Sequence, residues 1–332
     1  MYYKDLANEI WGQLDRSGDF QSGYKSIDVT KQDNRPCGLH IFNSEDGKLH
    51  FVIADHSGKK SDIYDPAVNG LTIQLKKYHL KNSGVQKFID LECGLNAYSE
   101  EFTEIVKEIS EKILAEGYSP VTAVNEVISS WKSFWSNRPK EILSDEEQIG
   151  LLCELKVLIL LSQIDPNQAI SAWKGPLGEK YDFLLPQKVL EVKGTRSDKR
   201  IHKINGIDQL SAPDEKQLLV VSYLVSKTKN QTTICLPELI QEIESIYFSN
   251  NASLILKFRK LLSYSGYSPV HKEKYQQYRF DIYDGLLYQV DRDFPKLSSK
   301  DLSKPLSARI SNISYRVELE GLPSEKVENI SF

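Results

Sequence analysis

Two carboxylates and an amine lie close together in "DFLLPQKVLEVKG", the segment that runs from Asp182 to Gly194. Asp182 and Glu191 flank and interrupt two apolar runs, and Lys193 follows Glu191 by two positions. Side chains two positions apart in a strand share one face, so Lys193 lies beside Glu191. Two neighbouring carboxylates repel each other unless positive charge lies between them. A buried hairpin alone does not explain this pattern, which indicates a polar site.

The apolar runs on either side of Pro186-Gln187 predict an antiparallel hairpin. Proline cannot adopt the positive φ of a two-residue type I′ loop, so we predict a four-residue loop over residues 185–188 around a type I turn. This loop pairs Leu184 with Val189 and Phe183 with Leu190, and it places Asp182 opposite Glu191. Directly opposed Cβ atoms lie about 4.5–5.5 Å apart.

A buried helix precedes the hairpin. "SDEEQIGLLCELKVLILL" begins with Ser144 and Glu147 in the spacing of a capping box, and it is apolar on most sides. Glu154 lies within this apolar stretch, where a glutamate is costly unless it is paired or bound to metal. A narrow solvent-facing stripe on the helix is the alternative interpretation.

The densest basic stretch, "KVLEVKGTRSDKRIHK", begins within the hairpin and continues beyond it. Taken alone, such a run is typical of a solvated loop. Its position directly after the carboxylates favours a loop that contacts phosphates. The predicted nucleic-acid-binding residues are Arg196, Lys199, Arg200, His202 and Lys203.

Composition excludes several classes of protein. The 332 residues are 40% hydrophobic and carry a net charge of −4, which suits a globular chain whose contact with nucleic acid must be local. The longest aliphatic run, "VLILL", is too short to span a membrane, and the N-terminus lacks the order of a signal peptide. The four cysteines are scattered, so we expect neither a zinc site nor disulfides, and a cytoplasmic location.

The chain divides into three predicted parts. Residues 1–97 read as a small β-rich accessory domain with an N-terminal helix, and their histidines are interpreted as structural. Residues 98–140 have helical patterns and form a connector. In residues 141–332, the predicted elements are a helix, a strand hairpin, a buried strand at "LLVVSYLV", helices and further strands, in this order. This order predicts an α/β (mixed α+β) domain with a mixed sheet and a C-terminal extension.

Together, these residues resemble the PD-(D/E)xK nuclease superfamily, with Tyr181 in place of the usual proline before the aspartate. More specifically, "AWKGPLGEKYDF", "VLEVKGT" and "RIHKINGIDQL" resemble PD-(D/E)xK motif proteins found beside restriction and phage-defence genes. The resemblance covers residues 144–225. It implies a restriction-endonuclease-like core of helices around a mixed sheet.

The resemblance implies a role for each residue. Asp182, Glu191 and the backbone carbonyl of Val192 would hold Mg²⁺, with Mn²⁺ as a substitute. Lys193 would orient or deprotonate the attacking water. Glu154 would serve a second metal or anchor Lys193. Gln209 would orient water or line the site.

Two functions from different classes follow. The first is a metal-dependent DNA endonuclease of a restriction or anti-phage system, acting on duplex DNA rather than RNA with protein partners; a homodimer is left open. The second is a non-catalytic DNA-binding or assembly subunit that keeps the nuclease fold. Retention of Asp182, Glu191 and Lys193 favours the first.

Overall fold

The chain forms two compact units, Met1–Arg138 and Pro139–Phe332. The structure is a computed structural model that describes residues 1–16, 18–31, 35–54, 70–81, 83–136, 141–213, 215–230, 232–249, 251–298, 301 and 313–332.

The first unit is an antiparallel sheet with two helices. Its elements are a helical turn α1 (Ile10–Gln13), the strands β1 (Ile27–Val29), β2 (Leu39–Asn43), β3 (Leu49–Ala54), β4 (Leu71–Leu80) and β5 (Gly84–Cys93), and the helices α2 (Ser99–Leu114) and α3 (Pro120–Ser136). The strands lie in the order β1-β2-β3-β5-β4.

The predicted N-terminal helix is shorter than expected. Tyr2 bridges to Thr30 in extended conformation, so only α1 is α-helical there. The helices predicted as a connector belong to this unit by contact. Trp11 packs on Phe102 of α2 at 5.5 Å between ring centroids and donates a 2.8 Å hydrogen bond to Thr103. Residues 137–140 lie outside the described part of the chain.

The second unit contains the predicted site. Its elements are α4 (Asp145–Ser162), α5 (Pro166–Ala172), β6 (Phe183–Leu184), β7 (Lys188–Thr195), β8 (Ile201–Asn205), β9 (Gln217–Thr228), α6 (Leu236–Glu242), a π-helical turn (Ile243–Tyr247), α7 (Ala252–Tyr264), α8 (Lys272–Tyr275), β10 (Arg279–Gln289), β11 (Ser314–Glu318) and β12 (Glu325–Lys326). The main sheet has the order β12-β10-β9-β7-β6, and β8 pairs with β11 in a separate ribbon.

The main sheet is mixed, as predicted. Strand β7 pairs parallel with β9, whereas β9 and β10 run antiparallel. The central position of β9 explains its apolar sequence, because a strand with neighbours on both sides and covered faces has few exposed positions. The prediction of a mixed α/β fold is confirmed.

Helix α4 covers the strand that carries the predicted site. Ser144 and Glu147 form the predicted capping box. The helix and β7 approach so closely at Gly194 that a Cβ there would lie 2.7 Å from Cys153 Sγ and from Ile149 Cγ2. Glycine at this position therefore allows the close packing that brings α4 next to the polar residues of β7.

Candidate active site

The hairpin has the predicted register. Phe183 pairs with Leu190, and Leu184 pairs with Val189. The regular ladder ends at these two pairs. The backbone N–H of Asp182 donates to the carbonyl of Leu190 at 3.0 Å, so Asp182 does not pair with Glu191 as predicted. The Asp182 side chain turns towards β7, where its Oδ2 accepts a 2.7 Å hydrogen bond from the N–H of Val192.

Strand β7 presents Glu191 and Lys193 on one face. Lys193 Nζ lies 2.5 Å from Glu191 Oε1, and the Nε2 amide of Gln209 donates to the same oxygen at 2.7 Å. The other end of the Gln209 amide accepts a 2.6 Å hydrogen bond from the N–H of Asn205, the last residue of β8. Gln209 thus joins the end of the β8–β11 ribbon to Glu191.

Glu154 reaches the same place from α4. Its Oε2 accepts a 2.7 Å hydrogen bond from the indole N–H of Trp173. Gly175 separates this carboxylate from Asp182, since a Cβ on Gly175 would lie 2.5 Å from Glu154 Oε2 and 3.0 Å from Asp182 Oδ1. The structure therefore brings together Glu154, Asp182, Glu191, Lys193 and Gln209, which we call the carboxylate site.

Burial gives the three acids of the carboxylate site a high affinity for protons. It raises the pKa of Glu154 well above its ordinary value, and the charge of Asp182 adds to the effect. Burial also raises the pKa of Asp182, against the opposing effects of the Val192 N–H and of Lys193. The pKa of Glu191 rises to about 7 through burial and the charge of Asp182, despite Lys193 and Gln209. When all three acids are ionised, they carry more negative charge than Lys193 alone offsets, and this raises their affinity for a proton or a cation.

The donor set fits a hard divalent cation. Three carboxylates supply oxygen ligands, and the gap at Gly175 keeps two of them close without a side chain between them. The N–H and C=O of one strand residue point to the same side, so the carbonyl of Val192 faces the same edge as the N–H that binds Asp182. Asp182, Glu191, this carbonyl and Glu154 are therefore the groups that would hold Mg²⁺.

The predicted basic residues fall into two groups. Arg196 lies 3.3 Å from Asp145 and from Glu146, and Lys199 lies 3.0 Å from Glu318, all near the surface. Lys203 is exposed on the β8–β11 ribbon.

The buried positions of Arg200 and His202 argue against direct phosphate contact by either residue. The Arg200 guanidinium donates to the carbonyl and hydroxyl of Ser222, at 2.7 and 3.1 Å, and to the carbonyl of Asp284. His202 Nε2 lies 2.7 Å from the same hydroxyl. Burial, with the charges of Lys193 and Arg200, lowers the pKa of His202 to about 4, so its ring is neutral at pH 7. Both side chains instead form buried hydrogen bonds that connect β8 and the residue before it to β9, and Arg200 also connects to β10.

Sequence reasoning assigns no chemistry to three residues that the structure brings to notice. Trp173 and Gly175 appear in the sequence only as part of a segment that resembles the family. In the structure, Trp173 donates a hydrogen bond to Glu154, and Gly175 leaves room between two carboxylates. Arg316 lies directly opposite Lys203 across the β8–β11 pair, and both are exposed. Only the strand register reveals this pair, because the two positions are far apart in the chain.

A family model described as "Putative PD-(D/E)XK family member, (DUF4420)" matches residues 7–320. The chain belongs to this family. The match extends over both units, well beyond the central residues that carried the resemblance. Membership in the PD-(D/E)XK family indicates a nuclease-like function. No curated protein and no solved structure matches the chain at a significant level.

Membrane-spanning helices require both length and apolar character. Within the described residues, no helix combines the two to the extent that crossing a bilayer demands.

Proposed function

We propose that this PD-(D/E)XK family member is a Mg²⁺-dependent DNA endonuclease. The observation that carries the proposal is the convergence of three carboxylates beside one lysine, with Glu191 buried and Asp182 and Glu154 partly buried. Lys193 Nζ is held 2.5 Å from Glu191 Oε1, and the charge of Asp182 raises the Glu191 pKa further. Such a surplus of buried acid is costly unless a cation joins it.

A bound Mg²⁺ would supply an activated water and would stabilise charge on the phosphoryl oxygens. The side chains of the protein would position the water and the phosphate. Lys193, whose side chain is 18% exposed, can reach a water or a phosphate oxygen while its ammonium remains anchored to Glu191. Gln209 fixes the rotamer of Glu191 by its 2.7 Å hydrogen bond, and Trp173 does the same for Glu154. Preorganised charge of this kind stabilises a transition state without reorganisation.

The β8–β11 ribbon supports DNA as the substrate. Lys203 and Arg316 are directly opposed, an arrangement of like charges that destabilises a strand pair unless an anion lies between them. The ribbon leads from these residues to Asn205, whose N–H binds the Gln209 amide. If a phosphate of the DNA backbone binds to this ribbon, the neighbouring nucleotides of the same DNA strand would lie towards the carboxylate site.

A role in restriction or anti-phage defence, with protein partners, is part of the same proposal. The resemblance of the sequence around Trp173, Asp182, Glu191 and Gln209 to proteins beside such genes supports it. A homodimer is compatible with this role.

The test is cleavage of supercoiled plasmid in Mg²⁺ by the wild type, by Lys193→Ala and by Lys188→Ala. Lys188 begins the same strand but lies outside the carboxylate site, so it is the matched control. We expect nicking or linearisation by the wild type and the control, and a loss of about 10²–10³-fold or more in Lys193→Ala. Single-stranded RNA and EDTA reactions should show no cleavage.

The outcomes separate the two functions. A wild type that binds duplex DNA but cleaves neither plasmid nor RNA in Mg²⁺ or Mn²⁺ would favour the non-catalytic subunit. Cleavage that survives Lys193→Ala undiminished would place the chemistry elsewhere.

A further inference from the structure

A second group of metal-ligand residues lies in the first unit. His50 on β3 pairs directly with Glu92 on β5, and Asp90 precedes Glu92 by two positions. Residues opposite each other, or two apart on one strand, point to the same face of the sheet. One ligand atom from each of the three lies within 4.8 Å of the others. We call these three residues the His50 cluster.

The His50 cluster is fixed in place. His50 is 2% exposed and Asp90 is fully buried. His50 Nδ1 lies 2.9 Å from Asp90 Oδ1, and the Tyr78 hydroxyl donates to Asp90 Oδ2 at 2.7 Å. The imidazole stacks on Phe42 at 4.6 Å between centroids, with an angle of 2° between the planes. These contacts hold the ring of His50 and the carboxylate of Asp90 in defined orientations.

The cluster opens into a cavity of about 440 Å³. Acids exceed lysines along the wall, which includes Asp19, Asp46, Lys48, His50, Tyr78 and Glu92. Lys48 lies 2.9 Å from Glu92 Oε1 and 3.1 Å from Asp46 Oδ2, so an ammonium already occupies the cationic position beside Glu92. This ammonium shows that the site accommodates a positive group, and its long flexible stem lets it move aside.

We propose that the His50 cluster binds one divalent transition-metal ion, with Zn²⁺ as the best fit. An imidazole with two carboxylates is a mixed nitrogen and oxygen set, which suits Zn²⁺ better than Mg²⁺. The three ligand atoms lie within 4.8 Å of one another, so coordination at about 2 Å would require them to close around one ion, and the cavity beside His50 and Glu92 leaves a further position for water or a ligand. Binding frees Lys48 from Glu92. This site is independent of the proposed nuclease function.

The experiment must first remove the carboxylate site as a competing ligand set. The parent is therefore the full chain with Asp182→Asn and Glu191→Gln, titrated with Zn²⁺ by calorimetry in the presence of millimolar Mg²⁺. We expect one Zn²⁺ per chain, which Mg²⁺ does not displace. Adding Glu92→Gln or His50→Gln to the parent should weaken Zn²⁺ binding by at least about 10–100-fold.

Glu45→Gln in the same parent is the matched control, because Glu45 lines the cavity but is outside the ligand set. It should retain Zn²⁺ binding within a few-fold. Circular dichroism of each variant checks the fold, and Glu92→Gln keeps the test valid if His50→Gln fails to fold, since Glu92 is less buried than His50. A parent that binds no Zn²⁺, or a Glu92→Gln variant that binds it as tightly as the parent, would overturn the proposal.

Discussion

The carboxylate site and the His50 cluster both place acids beside a basic group on neighbouring strands, yet they balance charge differently. In the first unit, Asp90 accepts from Tyr78 and lies against His50, while Glu92 faces Lys48. In the second unit, Glu154 and Asp182 meet across Gly175 with neutral donors only in their hydrogen bonds, the indole of Trp173 and the N–H of Val192.

The difference shows how neighbouring donors select a ligand. A surplus of buried carboxylate charge favours a hard cation that adds charge without displacing anything. A cluster that already has its own proton donors and ammonium binds a metal only if the metal competes with those groups, which imidazole-binding ions can do. Under the two proposals, the units bind two different classes of metal ion.

The largest effect should come from removing one charge at the carboxylate site. Asp182→Asn keeps an oxygen that can accept from the Val192 N–H, so we expect the fold to persist. Because the anionic metal ligand is removed, plasmid cleavage in Mg²⁺ should fall by about a thousandfold or more. Asp281→Asn, an exposed acid on β10, is the matched control and should cleave normally. Unfolding of Asp182→Asn with no metal bound by the wild type would mean that the acids of the carboxylate site are structural.

The second effect is a dependence of the free energy of unfolding on pH when no metal is bound. The folded Glu191 binds a proton more tightly than the unfolded residue, with a pKa of about 7 against the ordinary 4.5. The folded state therefore holds more protons within this window, and the free energy of unfolding in EDTA should fall as the pH rises from 4.5 to 7, by on the order of 3 kcal/mol.

Urea denaturation at pH 5 and pH 7.5 measures this change. Mg²⁺ should restore stability at pH 7.5, because it binds the folded state, and Glu191→Gln should flatten the profile in EDTA. Equal stability of the wild type at both pH values would show that the carboxylate site has no surplus charge.

A smaller effect should follow from a methyl group at Gly175. Gly175→Ala inserts a carbon 2.5 Å from Glu154 Oε2, so the two carboxylates must separate. We expect Mg²⁺ affinity to weaken by about 10–100-fold while every charge of the site is retained. Gly150→Ala on α4 is the control, since a Cβ there meets no atom within 4 Å. Calorimetric titration with Mg²⁺ distinguishes the two, and equal affinities would place the cation away from Glu154.

The smallest effect concerns the β8–β11 ribbon. Lys203→Ala with Arg316→Ala should weaken DNA binding equally across sequences. The slope of log K against log salt concentration should fall in magnitude by about two, one for each phosphate that the variant no longer neutralises. Arg196 and Lys199 should contribute less, because their acidic partners must first be given up. Lys77→Ala with Lys81→Ala, exposed in the first unit, is the control. An unchanged salt slope in the ribbon variant would move the DNA-binding surface to another part of the chain.

Local rules predicted the part of the site that lies within one hairpin. The apolar runs on either side of Pro186 predicted the hairpin register, and the two-residue period of a strand placed Lys193 beside Glu191. The capping box likewise located the start of α4. These features depend on neighbours within a few positions, which a sequence displays directly.

The remaining features depend on tertiary contacts. Basic residues suggested an exposed loop, but Arg200 turns inward because Ser222 and the carbonyl of Asp284 satisfy its guanidinium. His50 and Asp90 are distant in the chain and meet only through the pairing of β3 with β5. No local pattern encodes either arrangement, so sequence reasoning does not find the His50 cluster.

The pairing of β8 with β11 bears on the order in which the site assembles during folding. The β6–β7 hairpin joins residues close in the chain, whereas Asn205 pairs with Ser314, far along the sequence. Closing so long a loop costs more entropy and slows folding. Asp182 and Glu191 can therefore come together early, before the ribbon that anchors Gln209 exists. Loop entropy therefore favours formation of the acid-bearing hairpin before the ribbon that we propose contacts DNA.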